Sequence, residues 1–129
     1  MFHHAVAQLL FTGIRCRKDA QTAIAFLTTR VRKPDENNWK KLKRLLGYLK
    51  LTIKLPLILR AIRVNVLMWL VESSYAANDN MRGHTGGTMS MGKDKCGSII
   101  SISNKQKLKT NSSMEAELIG EDDAMPHML

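Results

Sequence analysis

The spacing of the apolar residues changes near Thr52, and this change limits what the chain can fold into. Before Thr52, apolar residues recur every three or four positions in segments 20–31 and 39–49, which is the period of amphipathic helices. After it, short apolar runs with β-branched residues at 55–59 and 64–71 are typical of buried strands. We therefore predict an α+β chain, with N-terminal helices, then a sheet, then one C-terminal helix.

Three helices are expected before Thr52. Asp19 is predicted to cap the second, and the turn at Pro34 and Asp35 is predicted to open the third. The third helix has the clearest two-sided pattern of the chain. Its predicted apolar stripe consists of Trp39, Leu42, Leu46 and Leu49, with Leu45 beside it. Most of its remaining surface is taken by cations, namely Lys40, Lys41, Lys43 and Arg44.

The second half has the pattern of an antiparallel meander closed by a helix. Glycines flank or interrupt apolar runs at 85–91 and 98–103, and residues 105–110 could continue a strand. Ser112 and Ser113 are candidate N-caps of the last helix. Pro126 is expected to end that helix.

Charge is distributed unevenly along the 129 residues. Residues 1–63 carry 14 Lys and Arg against 3 Asp and Glu, a net +11, whereas residues 64–129 carry 6 against 8, a net −2. A basic segment of this kind favours contact with a polyanion such as nucleic acid. The alternative is an ordinary set of solvated helix faces.

The sequence excludes two kinds of segment. The apolar stretch 45–71 is interrupted by four Lys and Arg residues, so we expect no membrane span. The apolar N-terminus has no basic residues before it, which argues against a secretory signal. Cys16 and Cys96 have no metal-binding spacing. We therefore expect an intracellular protein, cytoplasmic or nuclear, with reduced thiols.

Carboxylates are scarce in the second half, so their positions carry information. Glu72 stands at the end of a strand candidate, and Glu115 and Glu117 stand in the first turn of the last helix. A strand-end carboxylate beside one from a following helix is a common way to build a site for two Mg²⁺ ions, which prefer oxygen ligands. Alternatively, the acidic residues of the helix only favour its dipole.

Five segments of the chain resemble segments of one protein family, and they follow one another in the same order as in that family. Residues 105–107 and 112–118 resemble its KKQ … SSTEAEY signature, residues 71–76 its DADWAG strand end, and residues 82–87 occupy the place of its RKSTSGY segment. Upstream, residues 4–49 resemble the block that closes the reverse transcriptase and leads into ribonuclease H. The family is that of the Pol polyproteins of copia-type retrotransposons, which are transposable elements.

The resemblance implies two parts. Residues 1–60 would be a helical reverse-transcriptase tail, similar to a thumb or connection, and residues 64–129 would be a truncated ribonuclease H-like domain with a mixed sheet and one C-terminal helix. Such domains cleave the RNA strand of an RNA–DNA hybrid with two Mg²⁺ ions. By matching motif positions, Glu72 and Glu117 are the candidate catalytic and metal-binding residues, and Glu115 is a weaker candidate.

Departures from the family pattern point to an inactive remnant. Glu72 stands where the family has Asp, and the family's next catalytic Asp lies on a strand beyond Leu129. Asp122 and Asp123, which lie in the helix, could not replace it without a different geometry. We therefore expect an incomplete catalytic site, whose missing residues would be supplied by other parts of the same polyprotein. We also expect poor stability alone, because the strand at 64–71 would present an apolar edge.

Two functions follow. The chain is either a ribonuclease H remnant that acts on RNA–DNA hybrid or a nucleic-acid-binding module without catalysis. Lys40, Lys41, Lys43 and Arg44 are the candidate nucleic-acid-binding residues, because they could neutralise phosphates while the apolar stripe packs inward. The two functions are compatible, since a nuclease must also hold its hybrid.

Overall fold

The chain divides into two compact units in a computed structural model, which describes residues 1–61, 65–78, 80–92 and 96–128. The first unit is Met1–Leu57 and the second is Ile58–Leu129. The division therefore falls a few residues before the predicted boundary at 60–64. Val64 and Leu129, the ends of the predicted second domain, lie outside the described residues.

Three α-helices form the first unit, and a 3₁₀ turn at Lys18–Ala20 precedes the second of them. The helices are α1 (Phe2–Arg15), α2 (Gln21–Thr28) and α3 (Glu36–Leu51). The prediction that Asp19 caps α2 is wrong, because Asp19 lies within the turn and the N-cap is Ala20, which makes no side-chain cap. The predicted cap of α3 is confirmed, because the Asn38 backbone N–H donates to Asp35 Oδ1 at 2.6 Å.

One apolar cluster holds the three helices together. Its buried members are Phe2, Val6, Leu9, Ala20, Ile24, Leu27, Leu42 and Leu45. The buried face of α3 is rotated from the predicted stripe, since Leu45 is buried and Leu46 is 45% exposed. Asn38, Leu42 and Leu45 follow one line along the helix, and Leu46 lies about 100° around the axis from Leu45.

The described residues of the second unit form a three-stranded sheet followed by an α-helix, so the predicted α+β class is confirmed. The strands are β1 (Met68–Ser74), β2 (Arg82–Ser90) and β3 (Ile100–Lys109), and the helix is α4 (Ser113–Ala124). The sheet order is β1-β2-β3 and both pairings are antiparallel, so these strands form the predicted meander rather than a mixed sheet.

One strand prediction is wrong, and the predictions for the last strand and the helix hold. Residues 55–59 form no strand, and their large apolar side chains are exposed. The predicted continuation of a strand through residues 105–110 is confirmed, because β3 runs from the run at 98–103 into it without a break. Ser112 caps α4 by accepting the Glu115 backbone N–H at 3.2 Å, and α4 ends at Ala124, before Pro126.

A buried polar side chain joins α4 to the sheet. Gln106 on β3 is fully buried, and its Nε2 donates to the Ala116 carbonyl at 2.8 Å and to Thr85 Oγ1 at 3.2 Å. The Thr85 hydroxyl in turn donates to Asp123 at 3.1 Å. These bonds replace those that the amide NH2 group would otherwise make with water, whereas the buried Oε1 has no hydrogen-bond partner among the described residues. They also fix which face of the sheet α4 covers.

Small residues allow the close approach of α4 to this face. The buried residues of α4 are Ala116, Gly120 and Ala124, which repeat every four positions. A Cβ atom at Gly120 would overlap Ser73 Oγ. At this point α4 and β1 therefore lie closer together than a larger side chain on the helix would allow.

No helix among the described residues combines the length and apolar character that a membrane span requires.

We predict that Gly120→Ala lowers the free energy of unfolding of the second unit by about 1–3 kcal/mol, because the added methyl group overpacks the contact with Ser73. Urea unfolding followed by Trp69 fluorescence in a Trp39→Phe background measures this change. Adding Ser73→Ala should recover part of the loss, since the two side chains share one space. The matched Gly47→Ala change in α3 has nothing within 4 Å of the new Cβ and should not destabilise. Equal effects of the two glycine substitutions would contradict the packing argument.

Candidate nucleic-acid interface

The burial of one face of α3 determines where its cations lie. Leu42 and Leu45 are 2% and 7% exposed, and Asn38 is also buried. Because the helix has 3.6 residues per turn, Lys40, Lys43 and Arg44 fall on the side opposite these residues. All four predicted cations of α3, these three and Lys41, are exposed.

The outer face of α3, defined here by Lys40, Lys43, Arg44 and Gly47, is open and positively charged. A Cβ at Gly47 would meet nothing within 4 Å, so no side chain stands between the cations at this point. Lys40 Nζ lies 3.5 Å from the carboxylate of Glu36, one turn earlier. Both partners are largely exposed, so this ion pair is weak and leaves Lys40 able to bind another anion.

Lys41 and Arg44 also border a groove between α2 and α3. The groove has a volume of about 520 Å³, and its apolar floor includes Ala23, Leu27 and Leu45. Lys41 Nζ stands 4.2 Å from the centre of the Phe26 ring, within cation–π range. Of the four predicted cations of α3, Lys41 and Arg44 therefore border this groove, whereas Lys40 and Lys43 do not.

Arg17 links the start of α2 to the end of α3. Its guanidinium donates to the Asp19 carboxylate at 2.8 and 3.0 Å and to Thr52 Oγ1 at 2.7 Å. Tyr48 donates its hydroxyl to the same carboxylate at 2.7 Å. The hydrogen bonds from Arg17, and then from Tyr48, lower the pKa of Asp19 to about 2. The negative charge of Asp19 is thus compensated within the unit.

Sequence reasoning missed the groove and this link. Lys41, Arg44 and Tyr48 are spaced three and four residues apart, so they form one line along α3 and could have been recognised as a basic and aromatic stripe. Arg17 and Phe26 had no comparable signal, because they reach the site from other elements.

Glu72 projects from the face of the sheet that α4 leaves open. On β1, exposed residues alternate with half-buried Trp69, Val71 and Ser73, and Ser73 lies under Gly120 of α4. Successive side chains of a strand point to opposite faces, so Glu72 points away from α4. A Cβ at its cross-strand partner Gly86 would meet only the Glu72 carbonyl oxygen, at 3.9 Å.

Glu117 belongs to α4, which packs on the opposite face of the sheet. The structure therefore does not bring Glu72 and Glu117 together, and their placement does not fit the two-Mg²⁺ site that the resemblance implies. Glu115 instead closes the start of α4, since its carboxylate accepts the Asn111 backbone N–H at 2.7 Å. Within the described ranges, no three His, Cys, Asp or Glu side chains are grouped so that they could hold a metal ion.

The two aspartates near the end of α4 differ in their surroundings. Asp123 is half-buried and accepts the Thr85 hydroxyl, whereas Asp122 is exposed. Both line a polar depression with Lys107.

On the open face of the sheet, His84 Nε2 lies 2.8 Å from Ser103 Oγ, and burial lowers the pKa of His84, so this histidine is neutral at pH 7.

Comparisons of the chain with models of known protein families, with curated proteins and with solved structures found no match.

We predict that acid destabilises the first unit in a window set by Asp19. The folded-state pKa of about 2 lies below the ordinary value of 3.8, so the stabilisation is complete above about pH 4 and is lost as pH falls towards 2. Asp19→Asn should lower the urea midpoint at pH 7 and flatten its decline between pH 4 and 2. Trp39 fluorescence in a Trp69→Phe background reports on this unit, and Glu36→Gln serves as the control. An equally steep acid decline in Asp19→Asn would contradict the assignment.

Proposed function

We propose that the chain binds nucleic acid without sequence preference through the outer face of α3. The observation that carries this proposal is the fixed projection of Lys40, Lys43 and Arg44 from one exposed side of a helix whose other side is buried. Because the helix backbone is already ordered, binding of a phosphate backbone costs only the rotamer freedom of the long side chains. Neutralising phosphates also releases counterions, which favours binding in a way that depends on salt and not on base sequence.

The charge of the whole first unit supports the same function. Residues 1–57 contain 12 Lys and Arg against 3 Asp and Glu, a net +9. Of the three carboxylates, Asp19 is neutralised by Arg17, Asp35 caps α3, and Glu36 pairs weakly with Lys40. Little negative charge therefore opposes the approach of a polyanion.

We also propose that the chain derives from the Pol polyprotein of a copia-type retrotransposon and that its second unit is ribonuclease H-like. The sequence motifs support this origin, and the SSMEAEL segment opens a helix, α4, as the resemblance implies. An intracellular location would suit this origin. The second unit is proposed to be non-catalytic, because Glu72 and Glu117 occupy opposite faces of the sheet.

We predict that Lys40→Gln with Lys43→Gln weakens binding to a labelled RNA–DNA hybrid and lowers the slope of log affinity against log salt. Each lost phosphate contact reduces this slope by about 0.9, so the double variant should lose about 1.8. Fluorescence anisotropy between about 50 and 200 mM salt measures both quantities.

The matched control for this experiment is Lys107→Gln with Lys109→Gln, which removes the same charge from exposed positions on β3. If net charge alone mattered, the two double variants would behave alike, and the proposed interface would be wrong. Glu36→Gln provides an opposite test, because releasing Lys40 from its ion pair should raise the affinity.

We predict that the chain and its Glu72→Asp variant both leave the hybrid intact in the presence of Mg²⁺. The Glu72→Asp change shortens the side chain but leaves its carboxylate on the face of the sheet opposite α4. Gel analysis of end-labelled hybrid measures cleavage, with an active ribonuclease H as the positive control. Mg²⁺-dependent cleavage that Glu117→Gln abolishes would overturn the non-catalytic proposal while leaving the binding proposal intact.

A further inference from the structure

The solvent face of α4 has an unusual composition. Met114, Leu118 and Met125 are 76%, 64% and 52% exposed and follow one line along the helix and the turn after it. Glu117 and Glu121 flank this line one helical turn apart. We call these five residues the acidic stripe. An exposed apolar line with charged flanks is typical of a helix that enters a groove on a partner.

The charge on α4 is not balanced within the helix. It contains five carboxylates and no Lys or Arg, and three of them lie at its C-terminal end, where the helix dipole disfavours negative charge. Glu115 and Asp123 are hydrogen-bonded, and Asp122 shares its depression with Lys107. Glu117 and Glu121 have no hydrogen-bonded or ion-paired partner among the described residues. The acidic stripe would therefore gain from a cationic partner.

The groove between α2 and α3 has an apolar floor and a basic border, and the carboxylate of Asp19, which also lines it, is paired with Arg17. Its volume of about 520 Å³ is in the usual range of binding pockets, roughly 300–1,000 Å³. Its floor of Ala23, Leu27 and Leu45 offers no hydrogen-bonding side chain, which suits an apolar side chain better than the polar edge of a base. Lys41 and Arg44 stand on its border three positions apart, and Glu117 and Glu121 are four positions apart, so each pair lies on one side of its helix.

We propose that the acidic stripe of one copy of this chain docks into the α2–α3 groove of a second copy. Leu118 and the neighbouring methionines cover the apolar floor, while Glu117 and Glu121 pair with Lys41 and Arg44. The two surfaces differ, so the contact is head-to-tail, and each copy keeps one free surface for the next. The surfaces are small relative to the roughly 1,200 Å² of a stable interface, so association is weak and depends on concentration.

The test uses sedimentation velocity of the nucleic-acid-free chain over a wide concentration range. The unmodified chain should increase in average mass beyond the dimer as its concentration rises. The groove variant, Lys41→Glu with Arg44→Glu, reverses the charge on the border of the groove. The stripe variant, Glu117→Lys with Glu121→Lys, reverses the charge of the acidic stripe. Each variant alone should lose association roughly tenfold or more, because like charges then meet.

Mixing the two variants supplies the decisive measurement. The groove variant keeps a native stripe and the stripe variant keeps a native groove, and the reversed groove and the reversed stripe also carry opposite charges. An equimolar mixture should therefore recover the association that each variant alone has lost, with heterodimers as its first product. Lys50→Glu with Lys54→Glu, which changes exposed cations outside the groove, should leave self-association unchanged. Circular dichroism melting confirms that each variant is folded.

The proposal is overturned if the unmodified chain stays monomeric, if either variant associates as well as the unmodified chain, or if the mixture forms no heterodimer. These outcomes are independent of nucleic-acid binding, because the binding test changes Lys40 and Lys43, which do not line the groove.

Discussion

The buried amide of Gln106 is the interaction on which the arrangement of the second unit depends. It joins β3 to the Ala116 carbonyl of α4 and to Thr85 of β2. An amide in this position needs partners, because a buried polar group without them is costly. The requirement holds α4 over one face of the sheet and leaves the other face open. Which carboxylates can meet is decided by this one contact, and Glu72 and Glu117 are consequently separated.

The first unit is governed by a different constraint, the packing of its three helices around one apolar cluster. Leu42 and Leu45 are the members of that core on α3, and burying them turns the cations outward. The charge of the outer face is thus a by-product of folding and is held in place by the same packing. Arg17 adds a polar link at the end of α3, where it contacts both Thr52 and Asp19.

Local signals in the sequence were sufficient for some of these features. The caps Asp35 and Ser112 depend on hydrogen bonds three residues away, and both were predicted. Asp19 was misassigned because its partners Arg17 and Tyr48 outcompete a helix cap, and one of them lies 29 positions away. The run at 55–59 has the composition of a strand, but composition does not supply a pairing partner.

Distant contacts explain why the candidate site was only partly predictable. The helical period placed Lys40, Lys43 and Arg44 on the exposed side, although the buried stripe was assigned to Leu46 instead of Leu45. Glu72 and Glu117 were grouped by motif order, which carries no information about the face from which each side chain projects. The α2–α3 groove requires Phe26 to meet Lys41, and nothing in the spacing of these residues indicates that contact.

The meander of β1, β2 and β3 also has a kinetic consequence. Among the described residues, each strand pairs with its neighbour in the chain, and α4 follows directly after β3. Closing short connections costs little chain entropy, and topologies with such local pairings cross their folding barrier faster than those that join distant segments. The sheet can therefore assemble hairpin by hairpin, and Gln106 loses its water when α4 docks on the sheet.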